Sequence, residues 1–345
     1  MKITFLTPHS LRYYGGGEKW IISVANLLVQ RGHEVEVVAL AYSPSGTYRT
    51  DDRFIKEICN FSYSEISYRN GKFTPIRIKP PIRIKSDIIY VTGGYYYFLS
   101  QALHFESKKI YGFHDPALQN PKNMLQRRII TSLLPRFDMV HTLNDFQTRM
   151  LQSRGRVFQL SNTYFGEQPS CGQKFEKFTV LFFGQHEIIK GIDIVKNIMI
   201  HLPPDIEMII AGSGSVDIGK SIKENIKIVG FASEDELSSL LCRSHAVLFP
   251  SRSEASSLVA IESIAHGTPL IYRNIPENSV LVDKPLCISS DSDDGFLEKI
   301  LRLKEMYVNN PKEYIRICNT LPKTLMNPEE YISRFEQMLR MANSA

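Results

Sequence analysis

The chain reads as an α/β protein built from two doubly wound parallel sheets. Three observations predict this. Short apolar runs of strand length alternate with helical patterns from end to end, the signature of βαβ units. The rhythm pauses at the polar stretch GEQPSCGQK, Gly166–Lys174, and then starts again, which marks a linker. The full length of 345 residues exceeds one domain of ordinary size. Boundaries are expected at 1–165 for a first Rossmann-like domain, 175–320 for a second and 321–345 for a C-terminal helical segment.

In the first half the predicted strands are Ile3–Thr7, Glu34–Leu40, Asp87–Thr92, Lys109–Phe113, Met139–Leu143 and Val157–Leu160. The predicted helices are Glu18–Arg31, Tyr96–His104, Asn123–Leu134 and Asp145–Ser153. Residues 44–86, with Pro75, Pro80 and Pro81, read as an irregular insertion with short strands. In the second half the strands are Thr179–Phe183, Glu207–Ala211, Ile226–Val229, Ala246–Pro250 and Pro269–Tyr272. Helices follow at Gly191–His201, Glu234–Cys242, Ser257–His266, Asp294–Tyr307 and Pro328–Met341. In doubly wound sheets ligands bind at the carboxyl ends of the strands, so the ends of both sheets are where a site is expected, in a cleft between the domains.

Hydrophobic content of 43% and charged content of 22% fit a soluble globular protein with material for two cores. The five cysteines are scattered and never form a C-x-x-C pair, which argues against a disulfide framework or a zinc site and for a reducing compartment. The N-terminal MKITFLTPHS reads as a first strand, not a signal peptide, and no apolar stretch reaches the roughly 18 residues that cross a bilayer. A cytoplasmic protein is expected. The net charge of +5 is uneven: residues 1–165 hold 22 Lys and Arg against 12 Asp and Glu, a net of +10, and the rest holds 19 against 24, a net of −5. The basic excess gathers in RNGKFTPIRIKPPIRIK, residues 69–85, which has no acid. That patch suits an anionic membrane surface or a phosphate-bearing acceptor, or else is a solvated hairpin. No aromatic-basic pattern accompanies it, so nucleic acid is not expected.

The most informative stretch is PSRSEASSLVAIESIAHGTPLI, Pro250–Ile271. It sets Glu254 and Glu262 on either side of a strand-to-helix junction. The apolar run His245–Phe249 precedes it, and Leu258, Ile261, Ile264 and Ala265 recur at helical spacing after it. Ser253, Ser256 or Ser257 can cap the helix, and Gly267 and Pro269 end it. The open N–H groups of such a helix attract phosphate. Two acids flanking a phosphate suit a ligand that also carries hydroxyls, as a sugar nucleotide does.

This stretch resembles the acid-x7-acid element of retaining glycosyltransferases of family 4, which have the GT-B fold. The resemblance implies that Glu254 lies against the donor sugar and Glu262 holds the ribose hydroxyls, with the amides of Ser256, Ser257 and Leu258 near the phosphate. The family's Gly-Phe-Gly run is Ala255-Ser256-Ser257 here. The resemblance extends to most of the chain. TPHSLRYYGGGEKW and the following IISVANLLVQRGHEVEVV are similar to the first βαβ unit, with Gly16 and Gly17 approaching phosphate. YGFHDPA places His114 where the family has a histidine that meets the donor sugar or its phosphate. FFGQHEIIKGIDIV keeps Gly184, Lys190 and Gly191 of the diphosphate-binding segment, but Gln185 stands where the family has arginine. Lys190 must then carry more of the charge, supplemented by Arg252 or His186. AGSGSV is similar to the family's glycine turn at Gly212, and IVGFASEDELSSLL places Gly230 and Phe231 where the base lies. LSNTYF keeps only Asn162 of a closing loop.

The resemblance thus implies transfer of a sugar, with retention, from a nucleoside diphosphate donor to a glycan, lipid-linked or small-molecule hydroxyl, with no cofactor and no metal. It implies that the final helix crosses back onto the first domain. Asp291-Ser292-Asp293-Asp294 reads as helix capping and not as a metal site. A catalytically weak sugar-nucleotide-binding subunit and a sugar-nucleotide epimerase are the alternatives.

Overall fold

The computed structural model describes residues 1–39, 50–66, 84–93, 99–100, 102–114, 124–214 and 223–344. They form two compact units, Met1–Ser161 with Pro328–Ala345, and Asn162–Asn327. Chain and fold class agree: each unit is a parallel sheet with helices, the GT-B class of α/β fold.

The first unit holds a seven-stranded sheet. In chain order its strands are β1 (Lys2–Thr7), β2 (Glu34–Ala39), β3 (Ser62–Glu65), β4 (Ile88–Thr92), β5 (Lys108–Gly112), β6 (Met139–Thr142) and β7 (Val157–Gln159). Their spatial order is β3-β2-β1-β4-β5-β6-β7, so the winding reverses between β1 and β4. The register is regular, with Lys2 opposite Glu34 and Thr7 opposite Ala39. Helices α1 (Gly16–Gln30), α2 (Asp52–Ile58), α3 (Met124–Leu133) and α4 (Asp145–Leu151) connect the strands. Residues 50–66, expected as part of an irregular insertion, are instead one more helix-strand turn of the winding. Asp51 caps α2 by accepting from the Phe54 amide, and β3 pairs in parallel with β2. Short strands are expected in this stretch, but the sequence does not place this one, because SYSE is an edge strand with two exposed residues and no apolar run. The basic stretch lies outside the described residues up to Arg83, as do residues 96–98 and 101 of the predicted helix Tyr96–His104.

The last helix, α10 here by chain order (Pro328–Asn343), belongs to the first unit. Its apolar face enters an aromatic core. The Phe335 ring lies 5.5 Å from that of Tyr90, 6.0 Å from Trp20 and 6.3 Å from Phe5, centroid to centroid. The indole N–H of Trp20 donates to the Tyr331 hydroxyl at 3.0 Å, which satisfies two polar groups that are otherwise buried. At the rim Arg31 meets Glu329 and His33 meets Glu336.

The second unit holds a six-stranded sheet of β8 (Phe178–Gln185), β9 (Ile206–Ser213), β10 (Ile226–Gly230), β11 (Ala246–Phe249), β12 (Leu270–Arg273) and β13 (Ile288–Ser290). The order β10-β9-β8-β11-β12-β13 reverses between β8 and β11. Its helices are α5 (Ile192–His201), α6 (Glu234–Arg243), α7 (Leu258–Ala265), α8 (Gly295–Asn309) and α9 (Pro311–Cys318). Two elements had no expectation: β13, only three residues long, and α9, which Asn310 caps and Pro311 starts. Residues 321–327, grouped with the final helix in the sequence, sit in this unit, where Leu321 is buried in the core.

The expectation of no disulfide is overturned. Cys171 is bonded to Cys242, because the polar stretch before β8 doubles back along this unit to the end of α6. A sequence separation of 71 residues gives no sign of such a pairing. No helix among the described residues is long and apolar enough to cross a membrane.

Truncating Phe335 to alanine should cost about 3–5 kcal/mol of stability, since a fully buried ring leaves a cavity. Phe335→Leu should cost less than about 1.5 kcal/mol. Denaturant midpoints of the two variants check this, and unchanged midpoints for both would mean that α10 does not complete this core.

Candidate active site at the strand ends

The second unit concentrates its unusual backbone where the winding reverses. Loops leave β8 and β11 in opposite directions there, and this is where open α/β sheets bind ligands. After β8 a 3-10 turn, Ile188–Lys190, leads into α5 through Gly191 in the left-handed region at φ 82°. A Cβ on Gly191 would stand 2.7 Å from Pro250 Cγ and 2.8 Å from the Pro250 carbonyl oxygen. Only glycine lets this turn lie against the end of β11. Beside it, Gly184 and Gly212 face each other at the ends of β8 and β9, and a Cβ on Gly212 would fall 1.8 Å from the Gly184 carbonyl oxygen. Gln185 is the last residue of β8.

The close approach of the two loops brings Lys190 to Glu254. The ammonium Nζ lies 2.7 Å from Glu254 Oε1, with the lysine side chain 31% exposed and the carboxylate only 8%. Two of the predicted catalytic groups therefore form one ion pair, its carboxylate largely shielded from water. Helix α7 begins four residues beyond Glu254. Ser257 is its cap, accepting from the Ala260 amide at 3.4 Å, and Ser256, Ser257 and Leu258 form its tip. Glu262 lies in the second turn of the same helix, and its carboxylate helps raise the Tyr164 phenol above its ordinary range, after burial, the main cause. Gly230 ends β10 and Phe231 follows it, 67% exposed.

Neither residue expected to supplement Lys190 is available to do so. Arg252 binds Asp193 through two bonds of 2.7 Å, donates to the Ile188 carbonyl at 2.6 Å and reaches Asp293 at 3.1 Å. Its amide also donates to the Ile189 carbonyl. Arg252 is thus a brace for the Lys190 turn, and its hydrogen bonds hold the Asp193 carboxyl below the usual carboxylate range. His186 directs its two ring nitrogens at the carbonyls of Gly214 and Ala211. The acidic run 291–294 does not cap α8 through its acids. Ser292 Oγ takes the Gly295 amide, while Asp291 accepts from Asn274 and Asp293 binds Arg252 and Arg273. Among the described residues no cluster of His, Cys, Asp and Glu is arranged to hold a metal ion.

The sequence reading missed Glu277, in the first turn of the 3-10 segment Pro276–Leu281 after β12. Burial first, and the nearby Glu254 carboxylate second, push its pKa up. No motif marks it; only a partly buried acid beside another acid would have drawn attention.

In the first unit Gly16 and Gly17 open α1, and the Glu18 carboxylate turns back to accept from the Gly15 amide at 3.0 Å. The Gly15 amide, next to the Gly16 and Gly17 expected to approach phosphate, is therefore already engaged by the chain itself. His114 follows β5, its ring 4.1 Å from the Trp20 ring and its Nε2 2.8 Å from the Tyr90 hydroxyl. Burial, and after it His141, hold its pKa well below the usual value. Asp115 lies outside the described residues.

Comparison with known proteins bears on this arrangement. Residues 177–305 match the family model Glycosyl transferases group 1, and residues 14–158 match Glycosyltransferase Family 4. The chain is 24% identical over 351 residues to an uncharacterized glycosyltransferase of Haemophilus influenzae, covering 92% of each. It is 24% identical to the phosphatidylinositol N-acetylglucosaminyltransferase gpi3 subunit of Schizosaccharomyces pombe, over 76% of this chain and 63% of that one. A 41.2 kDa protein of the Klebsiella pneumoniae cps region matches at 33% over 29% of this chain and 28% of its own. The chain thus spans less than two thirds of the length of these last two relatives. Among solved structures, sucrose-phosphate synthase of Thermosynechococcus elongatus superposes with TM-score 0.74 at 14% identity, over 99% of this chain and 98% of the other. Anabaena HepE, solved with UDP and glucose, gives 0.74 at 14% over 99% of both. TarM gives 0.75 at 13%, again over 99% of both. At such identities these likenesses establish the fold.

Gly191→Ala should destabilise by about 1–3 kcal/mol, because the new Cβ meets Pro250 and the left-handed backbone disfavours it. Gly17→Ala, in a helix with nothing within 4 Å of the new Cβ, should instead stabilise by about 0.5–1 kcal/mol. Thermal or denaturant unfolding of the pair checks both signs.

Proposed function

The chain belongs to the family 4 glycosyltransferases, and from that premise we propose that it transfers a sugar, with retention and without a metal, from a nucleoside diphosphate donor to a hydroxyl acceptor. The observation that carries the reading is the Lys190–Glu254 pair beside the α7 tip at the reversal of the second sheet. A diphosphate there meets an ammonium group, the free amides of a helix start and the helix dipole behind them. Such fixed donors, aimed at charge that grows as the leaving group departs, supply the large term in transfer catalysis.

In this reading the donor diphosphate competes with Glu254 for the Lys190 ammonium. Glu254, freed on one side, turns to the hydroxyls of the donor sugar. Glu262 takes the ribose hydroxyls, Phe231 offers its exposed ring to the base, and the family resemblance assigns His114 to the donor sugar. The bond between the anomeric carbon and the leaving phosphate oxygen breaks while the acceptor oxygen attacks the same face. The acceptor proton passes to the departing diphosphate. HepE was solved with UDP, so uridine is the first base to try. The acceptor class remains a hydroxyl of a glycan, a lipid-linked saccharide or a small molecule.

A second reading has a specific observation in its favour. Gln185 replaces the second cation of the family, and Arg252 is engaged with Asp193 and Asp293, so Lys190 faces the diphosphate with less help. A subunit that binds the donor and leaves transfer to a partner fits that charge deficit, and the gpi3 relative is named as a subunit. Turnover of labelled nucleotide sugars by the purified chain separates the two: binding without transfer or hydrolysis across the donor series favours the subunit.

Glu262→Ala should weaken donor and bare nucleotide alike by about 10- to 100-fold, the worth of hydrogen bonds to a carboxylate. Glu254→Ala should lower transfer by about 100-fold or more while nucleotide affinity changes little. Calorimetry with the nucleotide and steady-state rates check the contrast, and near-native behaviour of both variants would refute the assignment.

A further inference from the structure

Beneath His114 lies a buried chain of hydrogen bonds that the transfer reading does not use. Tyr90 on β4 places its hydroxyl 2.8 Å from His114 Nε2 and 2.6 Å from His141 Nδ1. His141, on β6, has its other nitrogen, Nε2, 2.8 Å from the Leu160 carbonyl oxygen. Both Tyr90 and His141 are completely buried. The structure makes room for this arrangement: a Cβ on Gly112 would stand 2.2 Å from the Tyr90 hydroxyl oxygen.

The protons in this chain follow from its fixed end. A carbonyl oxygen only accepts, so His141 Nε2 must carry hydrogen. Burial holds the His141 pKa down to about 4, so the ring is neutral near pH 7 and its Nδ1 is a bare acceptor. The Tyr90 hydroxyl must then donate to His141, since burial also raises its own pKa well above the usual value and keeps it protonated. With its one hydrogen spent, the Tyr90 oxygen accepts, and His114 Nε2 is the donor that it meets. His114 is held neutral as well, so Nδ1 has no hydrogen. The reverse polarity sets a bare His141 nitrogen against the Leu160 carbonyl, a buried repulsion with no compensating bond.

We propose that Tyr90 and His141 are positioning residues that lock His114 as the tautomer protonated on Nε2, so that its Nδ1 presents an acceptor to a hydroxyl of the ligand. Among the described residues no group takes Nδ1, and His114 as a residue is half-buried. An acceptor nitrogen selects a hydroxyl, which can donate, and repels a phosphate oxygen, which cannot. His114 therefore reads the sugar and not the diphosphate. The ligand half of this inference rests on the transferase reading; the tautomer half stands on the hydrogen bonds alone.

The test uses the intact chain with ¹⁵N-labelled histidine. Two-bond nitrogen–proton correlation spectra near pH 7, with His114→Asn and His141→Gln spectra for assignment, report which ring nitrogen carries hydrogen. Hydrogen on Nε2 of both residues is expected; hydrogen on Nδ1 of His114, or a charged ring, overturns the lock. Tyr90→Phe keeps the ring's volume and should release His114 into a mixture of tautomers, restoring neither bond; an unchanged His114 spectrum also overturns it. Donors with single sugar hydroxyls replaced by hydrogen test the ligand half. One of them should bind about tenfold worse than the parent to the native chain. To His114→Ala that analogue and its parent should bind equally. Native binding that falls for no analogue overturns the acceptor role. If no nucleotide sugar binds while the spectra show the expected tautomers, the lock is upheld and the transferase reading is what fails.

Discussion

A carboxylate shielded from water is tolerated only with a partner, and the arrangement of the second unit follows from giving Glu254 one. The partner, Lys190, sits on a turn that reaches Glu254 because Gly191 adopts a left-handed backbone against Pro250. That turn in turn is braced by Arg252, which grips the Ile188 and Ile189 carbonyls and pairs with Asp193 at the start of α5. Asp293, beyond β13, holds both Arg252 and Arg273. The charge pattern is therefore a graded series. The arginines are consumed in fixing loops, and the lysine, a compact point charge on a flexible stem, is paired with Glu254, where the proposed reading has a ligand exchange with a carboxylate. An arginine locked in two-point contact with aspartate could not make that exchange without breaking both bonds.

The first unit solves a different problem. Its sheet carries large aromatic side chains next to the reversal of the winding, and they require both a lid and hydrogen-bond partners. The final helix supplies the lid through Phe335 and one partner through the Tyr331 hydroxyl, which takes the Trp20 indole hydrogen. Trp20 also packs on His114. The C-terminal helix is thus coupled to His114 through one shared ring, so loosening the helix disturbs the setting of that histidine. Tyr90 and His141 belong to the same cluster, and Phe335 contacts both rings.

What was legible in the sequence was whatever periodicity and turn chemistry express locally. The apolar strands, the Ser257 cap and the Gly267 stop of α7 are short-range signals, and they fell within a residue or two of the observed elements. The failures were elements without such signals: the polar edge strand β3, the three-residue β13, and α9, which has only two buried residues. Site glycines were legible because a strand ending in glycine before a lysine is itself a pattern. The roles of Arg252 and Asp293 were not, since each is one more surface charge until the fold brings residues 41 apart in sequence together. The same holds for the Cys171–Cys242 bond and for His141, a single histidine in a strand, whose meaning depends on what Tyr90 does next to it.

The polar groups of each unit can be sorted by the sign of their hydrogen bonding. In the second, the available groups at the strand ends are donors: a lysine ammonium and the amides at a helix tip. These suit phosphate oxygens, which only accept. The acids there, Glu254 and Glu262, are acceptors on either side of those donors, suited to hydroxyls. Glu277 stands near the first of them: burial, and after it the Glu254 carboxylate, raise its pKa. Glu254 itself is balanced by Lys190, and the pair is held where the glycine turn before α5 meets the end of β11.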